Sequence, residues 1–256
     1  GLKVDERELA LQLIKIETLD KMAKSDQAEQ VYRRLIVLYP DTKAFRHALV
    51  QFLVRHQRVA DAEAELRAIV AANPGDTSAK LDVVNFVRAS KGKQAGLVEL
   101  EGFIKESPKD SQLRFAQASM YQAQGDDKAA EAVLRDIMTQ AANPRDQTKA
   151  KALLAENLLA RNERQAALAL VEEILATDQR NEQALVLKAS LEIEDGQLDQ
   201  AIANLRTVLR DVPDSARAHL LLGKAHEAAR AKELAGDHYA RAFQASKKAP
   251  SYGVAY

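Results

Sequence analysis

The chain has 256 residues, 46% of them hydrophobic and 29% charged, with 37 basic side chains matched by 37 acidic ones. Such a composition excludes a disordered polymer, and no apolar run approaches the ~18 residues that a membrane span needs. The balanced charge argues against a broad nucleic-acid or anionic-membrane surface. The lack of cysteine excludes disulfides, thiolate metal sites and cysteine nucleophiles. Length alone would suit one large domain or two ordinary ones. Residues 1–15 alternate charged and apolar side chains and do not read as a secretory signal.

From the N-terminus, helical spacing of apolar residues is weak over 9–19 and then clear over 45–55, 78–89, 112–122, 148–159, 182–193 and 215–228. A second helix follows each of these. Its first marker is a small residue, in order Ala28, Ala62, Gly96, Ala130, Ala167, Ala201 and Ala235. Four residues on stand Tyr32, Leu66, Leu100, Leu134, Val171, Leu205 and Tyr239, and three further on Leu35, Ile69, Phe103, Ile137, Ile174, Val208 and Ala242. An i, i+4, i+7 pattern places all three on one helix face. Prolines close the units, and Pro40, Pro74 and Pro108 are 34 residues apart. Breakers such as Lys91-Gly92-Lys93, Gly125-Asp126-Asp127 and Asp195-Gly196-Gln197 separate the two helices of a pair. One gap between small residues, Ala130 to Ala167, is 37 instead of 34, and the three extra residues are expected to lengthen a loop around residues 141–147. Strand signals are absent.

A 34-residue helix–turn–helix period with an A-x3-bulky-then-Pro half resembles the tetratricopeptide repeat over roughly residues 7–247. In the seventh unit, Leu222-Gly223 matches the Leu-Gly pair of the family pattern, with His226 in place of its tyrosine. The family's tryptophan is missing; Arg46, Lys80, Arg114, Lys151, Leu185 and His219 stand there. The resemblance implies an all-α, right-handed α-solenoid of helix-turn-helix repeats. It is expected as a single array of about seven repeats (7–40, 41–74, 75–108, 109–144, 145–179, 180–213 and 214–247). A further leading helix is expected to start at 250–256. That ending, and a start at Gly1 without methionine, lead us to expect a piece of a longer array.

No enzymatic motif is present: there is no P-loop, no dinucleotide-binding glycine run and no nucleophile elbow. His219 and His226 are seven residues apart on one helix, ~10.5 Å, too far to share one ion. His47 and His56 are nine apart, and His238 falls on another helix. The histidines therefore read as packing or surface groups. Neither a metal nor a cofactor is expected, and the chain reads as a non-enzyme.

Binding is the remaining chemistry. Eleven residues before each small residue lies a polar one: Glu17, Gln51, Asn85, Ser119, Glu156, Ser190 and Lys224. Beside this ladder run a largely apolar column containing Phe115 and a mixed column containing Arg88, Gln122, Leu159 and Ile193. The resemblance implies that this face lines a concave groove. The candidate contacts are thus Gln51, Asn85, Arg88, Phe115, Ser119, Gln122, Glu156, Leu159, Ser190, Ile193 and Lys224. A polar ladder can pair with a peptide backbone while pockets take its side chains; an exposed face that is merely solvated is the competing explanation. The clamp by which related repeats hold chaperone tails needs Lys and Asn four apart, and the pairs here are His47/Gln51, Leu81/Asn85 and Phe115/Ser119. The asparagine ladder of another branch is missing as well.

The expected function is a non-enzymatic scaffold that takes a protein or extended peptide in its groove, with no nucleic acid and no membrane insertion, and with self-association left open. One alternative is a structural segment of a longer envelope-associated protein, because the alanine-rich texture resembles arrays of bacterial exopolysaccharide export. A second is the regulatory part of a multidomain enzyme or transcription regulator. The texture leans towards a bacterial envelope or periplasmic location, with the cytoplasm as the alternative.

Overall fold

The computed structural model describes residues 6–40 and 42–248, and the further helix expected at 250–256 lies outside them. Among the described residues there are fourteen α-helices and no strand. They fall into two compact units, one ending at Leu113 and one beginning at Arg114.

The first unit holds α1 (Glu6–Lys21), α2 (Ser25–Leu38), α3 (Lys43–Arg55), α4 (Val59–Ala72), α5 (Thr77–Lys91) and α6 (Lys93–Glu106). Helix α7 (Ser111–Gln122) crosses the division. The second unit continues with α8 (Asp127–Gln140), α9 (Pro144–Ala160), α10 (Arg164–Thr177), α11 (Glu182–Glu194), α12 (Leu198–Asp211), α13 (Ala216–Ala228) and α14 (Lys232–Lys248). Within each unit, helices pair as antiparallel hairpins and each hairpin packs on the next. In the second unit the leading helices α9, α11 and α13 also touch one another.

The three columns read from the sequence form the core. Ala28, Ala62, Ala130, Ala167 and Ala201 are wholly enclosed, and Leu66, Leu100, Leu134, Val171 and Leu205 beside them are buried. Small residues let paired helices approach closely while the branched column fills the space beyond. In the last hairpin this column ends on a half-buried Tyr239.

Six of the seven hairpin turns repeat one backbone solution, and the turn at Gly92 differs. One residue per turn is left-handed: Ala23, Gln57, Gly92, Gly125, Asn162, Gly196 and Arg230. In six of these turns the amide one past it bonds a carbonyl five residues back. Examples are Arg58 N–H to Leu53 O at 2.9 Å and Ala231 N–H to His226 O at 2.8 Å. This closure satisfies the last carbonyls of the leading helix. Glycine is at ease there, whereas an L side chain costs ~1–2 kcal/mol. Gln57→Gly is therefore expected to raise stability by about 0.5–1 kcal/mol, once the ~0.5–1 kcal/mol entropic cost of glycine is subtracted. Thermal unfolding checks this, and a lower midpoint would mean that the Gln57 side chain stabilises the turn.

The three-residue insertion does not lengthen a loop as expected. It becomes an extra turn at the start of α9, which runs for 17 residues with Pro144 in its first turn. Asn143 supplies the reason, since its side-chain oxygen accepts from the Arg145 amide at 3.0 Å. An Asn cap followed by proline pre-sets the helical φ and needs no donor from the proline. Asp76, Asn181 and Ser215 cap α5, α11 and α13 by accepting from the amide three residues on.

The zero net charge is organised by the repeat. Ion pairs link side chains about one repeat apart: Arg33 to Glu65 at 2.7 Å, Arg67 to Glu99 at 2.7 Å, and Arg161 to Glu131 at 2.6 Å. Lys43 reaches Asp76, and Arg180 reaches Asp211, in the same way. Each exposed pair stabilises by ~0.2–1 kcal/mol, so the pairs tune the stacking that apolar burial drives.

Candidate functional site

The candidate residues on the first unit are all exposed: Gln51 on α3, Asn85 and Arg88 on α5. Between these helices His47 Nε2 stands 3.9 Å from Asp82 Oδ2. Burial pushes the Asp82 carboxyl above the usual carboxylate range, with His47 opposing. Arg88 combines two roles, because its Cβ and Cα lie against Gly96 on α6 while its head remains exposed.

On the second unit the candidates separate into packed and open groups. Phe115 is 9% exposed and belongs to the core cluster with Leu134, Ala150 and Leu154; the Lys149 ammonium lies 4.3 Å above its ring. Leu159 packs partly on the same cluster, and Ile193 partly on the cluster of Leu185, Leu205 and Leu222. Ser119, Gln122 and Lys224 are exposed, and the Gln122 amide donates to Asn157 on α9.

Three candidates meet in one place. Glu156, Leu159 and Ser190 line a cleft of about 280 Å³ together with Asn162, Arg164, Leu187, Glu194 and Arg217. The cleft exists because α9, α11 and α13 lie side by side with half-buried polar residues facing outward. Arg217 on α13 bonds Glu156 on α9, spanning the helix between them, and Arg164 bonds Glu194 and Asp195 (2.7 Å to the latter). Both arginines are thus neutralised in place. The volume falls just below the ~300 Å³ at which small-molecule pockets begin, so it suits one or two peptide side chains better than a cofactor.

Reading the sequence missed Arg164 and Arg217. Arg217 lies seven residues, two helical turns, before Lys224, and the equivalent positions ahead of Glu156 and Ser190 are Lys149 and Gln183. A second polar column was therefore present in the sequence. Arg164 begins a second helix, and no leading-helix column could have found it. Among the described residues no three-residue group of His, Asp or Glu is arranged to hold a metal ion, and no helix is long and apolar enough to cross a membrane.

A family model described as tetratricopeptide repeat matches residues 16–77 and 186–250. Solved structures share the fold at low identity. A tetratricopeptide repeat protein from Parabacteroides merdae ATCC 43184 is 15% identical, covering 92% of each chain with a TM-score of 0.58. The anaphase-promoting-complex assembly Cut9-Hcn1 contains a chain 13% identical, covering 96% of this chain and 48% of that one with a TM-score of 0.59. PilW, described as a type IV pilus biogenesis factor, is 15% identical, covering 81% of this chain and 94% of its own with a TM-score of 0.54. Comparison with curated proteins gives no match. The 34-residue period, the buried small-residue column, the repeated hairpin turn and these matches agree: the chain has the all-α solenoid fold of tetratricopeptide-repeat proteins, and residues 16–77 and 186–250 match that family.

Proposed function

We propose that this chain is a non-enzymatic scaffold that holds an extended peptide or protein segment along the outward face of its leading helices, above all α9, α11 and α13. The cleft carries the reading, since it places two carboxylates, two guanidinium groups, an amide, a hydroxyl and two leucine side chains around one opening. A peptide backbone can bond Ser190 and exchange with the Glu156–Arg217 pair, while an apolar side chain rests on the partly exposed Leu159. Surface ion pairs are worth ~0.2–1 kcal/mol, so that exchange costs little. Because Arg164 and Arg217 already face acids, shape and hydrogen bonding select the ligand more than net charge does. Gln51, Asn85 and Arg88 offer the same polar chemistry on the first unit.

The test screens an immobilised peptide array with the wild-type chain and measures the best binders by fluorescence anisotropy. Ser190→Gln combined with Glu156→Gln is expected to weaken binding about tenfold, ~1.4 kcal/mol, with an unchanged helical melting curve. Asn85→Ala measures any contribution from the first unit. Affinities unmoved by these substitutions would refute the groove. Phe115 is left intact, since truncating a core aromatic would confuse binding with stability.

A further inference from the structure

Three of the five histidines meet where α14 lies on α13, although no sequence spacing brings them together. His219 and His226 are 5% and 6% exposed, and the His238 ring sits between them. Ring centroids are 5.3 Å apart for His219 and His238 and 5.5 Å for His226 and His238, the latter pair nearly parallel at 12°.

The hydrogen bonds define the protons. His219 Nε2 lies 3.0 Å from the Pro213 carbonyl oxygen, which can only accept, so Nε2 carries hydrogen. In the neutral ring Nδ1 is then an acceptor. It lies 3.0 Å from His238 Nδ1, which must donate. The arrangement is complete with both rings neutral. Protonation of both rings would set two donors face to face. One added to His238 would place a cation against the His219 and His226 rings in a partly buried contact.

We propose that this histidine cluster makes the last hairpin acid-sensitive, so that protonation loosens α14 from α13 while the preceding hairpins of the second unit remain packed. The groups facing His238 are His219 and His226 from α13, and Asp237 and Arg241 from α14 itself. Burial lowers the His238 proton affinity below the ordinary histidine value, His219, His226 and Arg241 lower it further, and Asp237 opposes them. A group more easily protonated when unfolded favours the folded form above its unfolded value, ~6.5, and that stability is lost as pH falls through it. Elsewhere α13 and α14 are joined by the Tyr239 hydroxyl, which donates to Glu227 at 2.6 Å, and by the ring of Tyr239 against Gly223. The release also bears on the groove, because α13 carries Arg217 and Lys224.

Hydrogen exchange of the whole chain at about pH 7.5 and about pH 5.5, corrected for intrinsic rates, tests this directly. Amides of α14 are expected to lose roughly threefold to tenfold of their protection at the lower pH, with α9–α11 unchanged. In His238→Asn the amide still donates to His219 but does not titrate, so the loss should disappear. Equal protection at both pH values, a uniform loss over all helices, or an unaltered loss in His238→Asn would each overturn the proposal. If that variant does not hold α14 at the higher pH, nuclear magnetic resonance titration of the wild-type rings decides. His238 should gain its proton below the ordinary histidine range, and titration at or above it overturns the proposal. No peptide takes part in these measurements, so their outcome is independent of the groove.

Discussion

Leu205→Ala is expected to destabilise the second unit by about 2–5 kcal/mol. Leu205 is fully enclosed on α12, in a cluster with Leu185, Val186, Ala189, Ala201, Val208 and Leu222. Those neighbours come from α11, α12 and α13, so one truncation removes contacts on both sides of the helix. Alanine leaves a cavity whose walls are other helices, and a repeat array cannot close it without shifting a whole hairpin. Because each repeat is stabilised by its neighbours, the damage should concentrate in α11–α13, seen as faster hydrogen exchange there and a lower urea midpoint. Leu209→Ala, at a partly buried position against the same cluster, serves as the milder comparison. An unchanged midpoint for Leu205→Ala would contradict the stacking described here.

Gly96→Ala carries a sign that sequence reasoning would reverse. Gly96 occupies the column where five other repeats have wholly enclosed alanine, and alanine is the better helix former by ~1 kcal/mol. In the structure, a Cβ on Gly96 would lie 2.6 Å from Arg88 Cβ and 3.1 Å from Arg88 Cα. The obstacle includes backbone, so α5 must move away from α6, at a cost of ~1–3 kcal/mol. We expect a net loss of up to about 2 kcal/mol. Gly102 is the control within the same helix: nothing lies within 4 Å of its added Cβ, and Gly102→Ala should gain ~1 kcal/mol. Chemical denaturation of both variants checks the pair, and a stabilised Gly96→Ala would show that Arg88 yields more readily than its position indicates.

The two glycines show where a one-dimensional reading stops. Helix periodicity reports which face of a single helix is buried, because residues i, i+4 and i+7 share that face whatever covers it. The core columns were legible for this reason, down to the enclosed Ala167 and Leu205. Periodicity is silent on how closely the covering helix approaches, and so on whether Gly96 tolerates a methyl group. The insertion near Asn143 is a similar case. Its length was plain, but a loop and an extra helical turn hold the same number of residues, and the Asn143 cap decided between them.

The candidate groove divides along the same line. Polar residues such as Gln51, Asn85 and Lys224 stand exposed as the ladder suggests, while Phe115 packs into the core because α9 supplies Ala150 and Leu154 beside it. The cleft depends on Arg164 and Arg217, whose reach to acids on other helices no column records. The histidine cluster depends on α14 folding back over α13, which places His238 beside residues 19 and 12 positions earlier.

By itself, then, the sequence determined the module: its length, its two helices, the buried face of each and, in three pairs, the breaker between them. These are local properties, set within a few residues by sterics and by the period of the α-helix. Tertiary structure alone decided which side chains from different helices meet. Such meetings require an interaxial distance and a rotation that are set by packing whole hairpins together, and they placed Arg217 on Glu156, Arg88 against Gly96 and His238 between His219 and His226.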